Sequence, residues 1–69
     1  MDIRKVLGQN VRRYREACQL SQEELSFETG VHRTYISAVE RGVRNPTVLV
    51  LERIAAGLGV TPDQLLKRK

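Results

Sequence analysis

Apolar residues recur at intervals of three and four positions along most of the chain, which is the spacing of an α-helix rather than of a strand. One such stripe lies within residues 2 to 18 and a second within residues 48 to 58. No segment alternates between apolar and polar residues as a half-buried strand does. The pattern therefore predicts an all-α protein. The stripes are formed by Ile3, Leu7, Val11, Tyr14 and Cys18, and by Val48, Leu51, Ile54, Ala55 and Leu58.

Capping residues predict where the other helices begin and end. Ser21 is followed three positions later by Glu24, which is the pattern of a capping box, and Gly30 is suited to end that helix. Thr47 and Thr61 are suited to begin the fourth and fifth helices. Because the breaks between segments are short, we expect five helices in a single domain that spans residues 1 to 69.

The charge balance adds a class of partner to this picture. Among 69 residues there are 12 lysines and arginines against 8 acidic residues, so the net charge is +4. A basic surface is typical of proteins that bind nucleic acid, but it is not specific to them. No apolar run approaches the roughly 20 residues of a membrane span, and the N-terminus lacks the apolar centre of a secretion signal. We therefore expect a cytoplasmic protein, associated with the nucleoid, and no membrane partner.

Residue types that carry catalysis or bind metals are scarce. Cys18 is the one cysteine and His32 the one histidine, so neither an internal disulfide nor a metal site is expected. We expect Cys18 to be a small core residue. The chain also lacks a nucleophile–base set and a glycine-rich phosphate loop. These features predict no enzyme activity, no cofactor and no small-molecule substrate.

Residues 21 to 41 contain two predicted helices joined by a tight connection at Gly30. This is the layout of a helix-turn-helix, whose second helix enters the DNA major groove. In the segment HRTYISAVERG, Ile36 and Val39 supply the inner face of that second helix. The arrangement predicts that its other side is available to a ligand.

Long or hydrogen-bonding side chains occupy the outer side of this second helix. At about 100° per residue, the residues opposite the inner face are Thr34, Ser37, Ala38 and Arg41. Arg33 lies nearer the flank, but a long side chain in the first turn extends past the helix end. Arginine can bind guanine O6 and N7 with two hydrogen bonds, a threonine methyl can contact a thymine methyl, and small residues allow close approach. The predicted base-contacting residues are therefore Arg33, Thr34, Ser37 and Ala38.

The motifs SQEEL, HRTYISAVERG, RNP and LERIAAGLGV, in this order, resemble the Cro/C1-type (XRE) helix-turn-helix family of bacterial and phage regulators. The portion containing RTYIS, ER and RN is particularly similar to the controller proteins of restriction-modification systems. The resemblance implies a compact five-helix domain of the lambda-repressor-like type. It also implies a sequence-specific regulator of transcription that binds double-stranded DNA. Such a regulator represses, or activates by touching RNA polymerase, and the residues leave both open.

The resemblance further implies contacts to the DNA backbone. Gln22 matches the family glutamine that opens the second helix, and Tyr35 matches a position beside the groove. Arg44 and Asn45 match contacts from the following loop. His32 departs from the family, which usually has serine, threonine or aspartate at this N-cap. Because histidine caps less well, we interpret it either as a phosphate contact or as a tolerated surface residue.

Arg15 and Glu40 match a salt bridge that the family forms between its first and third helices. Their positions support this independently, because Glu40 lies on the inner side of its helix, where an unpaired carboxylate is costly. Arg15 adjoins the apolar stripe of the first helix. We interpret the pair as orienting the third helix, with two separate solvent charges as the alternative.

A second copy of the chain is the expected protein partner. Leu49 lies opposite the apolar stripe of the fourth helix, and an exposed apolar cluster around it would be typical of an interface. A homodimer would place two recognition helices about 34–36 Å apart on a near-palindromic operator. Phe27 has no assigned role. The predicted interface residues are Leu49, Ala56, Val60, Leu65 and Leu66.

Two other interpretations use the same residues. An antitoxin-type subunit would also bind DNA, but its main partner would be another protein. A helical bundle for protein interaction alone would not need Arg33 and Thr34 to project together. Operator binding by the purified chain tests the first interpretation, and replacement of Arg33 by alanine tests the second.

Overall fold

The computed structural model describes residues 2 to 68, which form five α-helices and no strand. The predicted all-α class is therefore confirmed. Within this part of the chain, no helix is both long enough and apolar enough to cross a membrane. The helices are α1 (Ile3–Ala17), α2 (Gln22–Thr29), α3 (Arg33–Glu40), α4 (Val48–Leu58) and α5 (Pro62–Leu65).

The start and end of α2 show how local chemistry sets the helix boundaries. The Ser21 hydroxyl accepts a hydrogen bond from the Glu24 backbone N–H at 3.0 Å, and the Glu24 carboxylate accepts one from the Ser21 N–H at 2.8 Å. This bond from the Ser21 N–H holds the pKa of the Glu24 carboxyl below its usual range. Gly30 ends α2 with a φ of 71°, which glycine adopts without strain. The predicted capping box and the stop at Gly30 are both confirmed.

An apolar core lies where the five helices meet. α1 packs on α3, α2 packs on α3 and α4, and α5 packs on α1 and α4. Because every helix contributes at least one fully buried side chain, α2 and α3 are held in one arrangement, with one side of α3 left facing solvent. The largest fully buried side chains are Val11, Leu25, Ile36, Val39, Ile54 and Leu65.

The crossing of α1 and α3 is close at Gly8. A Cβ atom on this residue would lie 2.5 Å from the carbonyl oxygens of both Val39 and Glu40. These are backbone atoms at the end of α3, so they cannot move aside as a flexible side chain does. Glycine has a poor helical propensity, but its missing side chain is what allows the two helices to approach here.

Asn10 is a buried polar residue whose side-chain amide connects α1 to the end of α5. Its Nδ2 donates to the carbonyl oxygens of Leu65 at 2.8 Å and Lys67 at 2.9 Å. Its Oδ1 accepts a bond from Arg13 Nη2 at 3.3 Å. The last carbonyl groups of a helix have no partner within the helix, so the Asn10 amide satisfies groups that would otherwise lack one. No motif in the sequence indicated this role.

Ile3 and Val48, predicted in the apolar stripes of α1 and α4, are 44% and 81% exposed, because each is the first residue of its helix and does not reach the core. Two further predicted positions differ in the structure. Leu65, predicted as an interface residue, is fully buried in the core. That prediction is wrong because α5 is a single turn pressed against α1 and α4, and successive helix residues point in different directions, so Leu66 is the exposed one. Cys18, predicted as a core residue, is exposed. It follows the last residue of α1, where the chain turns away through Gln19 at a φ of 59°.

Candidate nucleic-acid interface

The outer side of α3 carries the four predicted base-contacting residues. Arg33 and Thr34, in the first turn, are exposed, and Ser37 and Ala38, about one turn later, are partly exposed. The opposite side of the helix is buried in the core. The fold therefore brings together a cation, two hydroxyl groups and a methyl group on one accessible surface.

The side chain of Arg33 reaches from α3 to the start of α2. Its Nη1 lies 3.5 Å from Oε2 of Glu23, and the two side chains are 65% and 73% exposed. An ion pair this exposed contributes only about 0–1 kcal/mol to folding. Arg33 is therefore accessible to a ligand, with Glu23 as its partner in the unbound protein.

His32 is the N-cap of α3, and its ring accepts a hydrogen bond in that position. The Nδ1 atom lies 3.2 Å from the backbone nitrogen of Thr34 and 2.8 Å from its hydroxyl oxygen. A backbone N–H can only donate, so Nδ1 is the acceptor and the neutral ring carries its hydrogen on Nε2. Histidine thus replaces the usual serine or threonine cap here, and its Nε2–H is left as a donor.

An ion pair fixes α3 relative to α1. Arg15 donates from Nε to Glu40 Oε2 at 2.6 Å and from Nη2 to Oε1 at 3.0 Å, which forms the pair that the sequence predicted. Its Nη1 also donates to the Leu20 carbonyl oxygen at 2.7 Å, just before α2. The hydrogen bond with Glu40 raises the pKa of Arg15 above its ordinary value. Because only 5% of the Glu40 side chain is exposed, loss of Arg15 would leave a buried charge unpaired.

Gln22 joins this pair from the first position of α2. Its Nε2 donates to Oε1 of Glu40 at 3.1 Å. An amide nitrogen carries two hydrogens, so one remains for an acceptor outside the protein. Glu40 therefore orients an amide group at the start of α2, where a phosphate contact was predicted.

The loop after α3 is tied to that helix by an aromatic contact. The guanidinium carbon of Arg44 lies 4.5 Å from the centre of the Tyr35 ring, within the range of a cation–π interaction. Tyr35 is partly buried against the core, whereas Arg44 and Asn45 are exposed. The loop residues predicted to contact the DNA backbone are therefore accessible, and one of them is positioned by Tyr35.

Exposed apolar side chains lie on α4 and near the C-terminus. Leu49 is 71% exposed. Phe27, which had no predicted role, and Val48, which was predicted in the apolar stripe, are also strongly exposed. We use the term outer apolar residues for the accessible members of the predicted interface, which are Leu49, Ala56, Val60 and Leu66.

The described surface is suited to binding through hydrogen bonds and charge. Guanidinium, amide and imidazole donors occur around α3, and such groups recognise phosphate oxygens and base edges. Within residues 2 to 68, no group of histidine, cysteine and acidic side chains is arranged to hold a metal ion. The surface offers non-covalent recognition of an anionic, hydrogen-bonding partner.

Comparisons with known proteins agree with this geometry. A family model described as helix-turn-helix matches residues 11–65. The control protein C.SmaI of Serratia marcescens is 46% identical over 69 residues, which are 100% of this chain and 82% of that protein. The restriction-modification controller C.AhdI from Aeromonas hydrophila has a TM-score of 0.86 at 39% identity, over 90% of this chain and 94% of that one. A hypothetical transcription factor from Neisseria has a TM-score of 0.91 at 47% identity, over 96% and 76%.

Proposed function

Because the chain belongs to the helix-turn-helix family of Cro/C1-type transcription regulators, we propose that it reads a near-palindromic operator as a homodimer, through the major groove. The family consists of DNA-binding regulators and not of enzymes. We also propose that the chain is a restriction-modification controller, since it is 46% identical over its full length to a control protein. It works on DNA in the cytoplasm, where it represses or recruits RNA polymerase.

The observation that carries this proposal is the exposed first turn of α3. Arg33 is 65% exposed and has five N–H donors, so it can bind O6 and N7 of a guanine together. Thr34 offers a methyl group to a thymine, while its hydroxyl is engaged with His32. Ser37 and Ala38 are short enough to let the helix lie against the base edges. The base-reading surface is thus Arg33, Thr34, Ser37 and Ala38.

Donors on either side of α3 would bind phosphates and set its position in the groove. The second hydrogen of Gln22 Nε2 and the Nε2–H of His32 each suit a phosphate oxygen. Arg44 and Asn45 do the same from the loop, with Tyr35 beneath Arg44. Backbone contacts of this kind fix the register of a protein on DNA but carry no sequence information.

A second copy of the chain would cover the outer apolar residues. In a symmetric dimer the same patch meets itself, so the exposed Leu49 of each copy would be removed from water. Two recognition helices would then lie about 34–36 Å apart, the separation of successive major-groove faces of a duplex. The operator would accordingly be two similar half-sites in inverted order.

Selection of bound fragments from random DNA tests the proposal with the purified chain alone. We expect a recovered motif with two-fold symmetry and a guanine in each half-site. Recovery of no motif, or of a motif only when another protein is added, would contradict the proposal and favour an antitoxin-type subunit.

Replacement of Arg33 by alanine tests which residue reads the base. Arg33→Ala should weaken operator binding by about 1–3 kcal/mol per half-site and relax the preference at the guanine. Fluorescence anisotropy with the operator and a single-base variant measures this. Arg12→Ala is a matched control, because Arg12 is 66% exposed and pairs with Glu16 at 3.3 Å. If the two variants lost the same affinity without any change in base preference, Arg33 would have only an electrostatic role.

A further inference from the structure

We propose that Glu23 is a specificity-determining residue, which restrains the guanidinium of Arg33 from binding DNA phosphates while leaving it able to bind guanine. This inference rests on the proposed function, since it requires Arg33 to contact bases. The observation behind it is the contact of 3.5 Å between Arg33 Nη1 and Glu23 Oε2. Glu23 lies in the first turn of α2 and Arg33 is the first residue of α3, so the contact joins the two helices of the helix-turn-helix.

The carboxylate of Glu23 is free to contact Arg33, whereas the carboxylate of its neighbour Glu24 is used to cap α2. Glu24 closes the capping box of α2, with its Oε1 accepting from the Ser21 backbone N–H at 2.8 Å. The side chain of Glu23 has no capping bond, and within residues 2 to 68 its ion pair is with Arg33. The Glu23 side chain is 73% exposed, so its carboxylate lies at the solvent-facing side of the surface that would face DNA.

The geometry of the pair leaves part of the guanidinium unused. The contact is made through Nη1, so the edge that carries Nε and Nη2 remains for a second partner. A guanine presents O6 and N7 side by side, and a guanidinium edge binds both at once. Arg33 can therefore contact a guanine while its Nη1 stays near Glu23.

A phosphate also accepts hydrogen bonds from a guanidinium edge, but it differs from guanine because it carries a negative charge. A free Arg33 would add a sequence-independent phosphate contact on any DNA. Arg33 and Glu23 together carry no net charge, and the carboxylate of Glu23 repels a nearby phosphate. Glu23 therefore weakens binding to DNA without a correctly placed guanine more than it weakens binding to the operator.

Glu23→Gln tests this inference, because glutamine keeps the size of the side chain and removes its charge. The probes are the operator recovered by selection and a scrambled duplex of the same length. We expect binding to the scrambled duplex to tighten by about two- to fivefold, binding to the operator to change less, and the ratio of the two affinities to fall. The salt dependence on the scrambled duplex should steepen by about 0.9 per chain, since one more phosphate contact forms.

Glu28→Gln is the matched control, since Glu28 is an exposed glutamate on the same helix and has no ion pair with Arg33. It removes the same charge, so it should tighten both complexes equally and leave their ratio unchanged. A double variant that also carries Arg33→Ala adds a second check, because Glu23→Gln should then no longer alter the ratio.

The outcomes separate this inference from the proposed function. If Arg33→Ala relaxes the preference at the guanine but Glu23→Gln leaves the affinity ratio unchanged, the inference is wrong and the proposed function stands. An equal fall in the ratio for Glu28→Gln also overturns it, because the effect would then come from net charge. If Arg33→Ala itself retains full operator preference, Arg33 does not read a base, and this inference fails together with the base-reading role proposed for Arg33.

Discussion

Among single residues, Asn10 has a role that follows from the burial of its amide. Asn10→Ala removes the donor to the carbonyl oxygens of Leu65 and Lys67 at the end of α5. A buried polar group left without a partner costs about 1–3 kcal/mol. For a domain of this size, each kcal/mol lowers the melting temperature by about 4–8 °C. We therefore expect a lower melting temperature for Asn10→Ala, measured by thermal unfolding monitored by circular dichroism.

The adjacent residue provides a control for this effect. Gln9 lies in the same helix, just before Asn10, but its side chain is exposed. Gln9→Ala should therefore change the free energy of unfolding by less than about 0.5 kcal/mol. Equal losses in the two variants would show that α1 is merely sensitive to substitution, and that the bonds from Asn10 do not stabilise α5.

Single residues also show where sequence reasoning reaches its limit. The Ser21–Glu24 capping box was predictable because both partners lie within one turn of the same helix. The burial of Leu65 and the exposure of Cys18 were not, because each depends on how α5 and the end of α1 meet the rest of the fold. Asn10 acts on residues more than fifty positions away, and no local pattern marks such a contact.

At the scale of the elements, the crossing of α1 and α3 depends on Gly8. Helical propensity alone predicts that Gly8→Ala stabilises α1 by about 1 kcal/mol. The added Cβ would instead lie 2.5 Å from two backbone carbonyl oxygens of α3. Overpacking of this kind costs about 1–3 kcal/mol, so we expect a net loss of stability and weaker operator binding, since α3 must shift. Urea unfolding and anisotropy titration measure the two effects.

Gly57→Ala is the comparison that isolates backbone from side-chain contacts. The nearest atom to a Cβ at Gly57 is the methyl group of Thr29. The Thr29 hydroxyl is hydrogen-bonded to the Leu25 carbonyl oxygen and the Val31 N–H, so moving this methyl group also has a cost, but it displaces a side chain and not the backbone of α3. We expect a smaller loss of stability than for Gly8→Ala and little effect on DNA binding. An increase in stability for Gly8→Ala would refute the role assigned to the close crossing.

The helices themselves were largely predictable, whereas the connections between them were not. Apolar spacing and caps are local properties, and α2, α3 and α4 begin and end close to where Ser21, Gly30 and Thr47 indicated. The pair of Arg15 with Glu40 was expected from family resemblance and from the inward position of Glu40. The contact of Gln22 with that pair and the contact of Arg33 with Glu23 depend on the angle between α2 and α3, which sequence spacing does not define.

At the scale of the whole molecule, small size links stability to association. A chain of 69 residues buries a modest share of its surface when it folds. Apolar side chains such as Leu49 and Phe27 therefore remain on the outside. Association of two copies would bury part of this surface and would stabilise the fold in a concentration-dependent way. The same association would place two α3 helices on one operator, so stability, assembly and DNA recognition would all depend on the proposed interface.

Leu49→Asp tests this dependence without disturbing the folded chain. Because Leu49 is 71% exposed, the change should cost little in the monomer, and an aspartate in the first turn of α4 is favoured by the helix dipole. In the dimer the same carboxylate would be buried beside its symmetry mate, so we expect a monomer in analytical ultracentrifugation. Operator affinity should fall by about 100-fold or more, because the two half-sites are no longer bound together. Val48→Asp is the control, since Val48 is 81% exposed at the preceding position and lies outside the proposed interface. If the Leu49→Asp protein still sediments as a dimer, α4 is not part of the interface. If the wild-type protein remains a monomer on DNA, the proposed dimer is wrong.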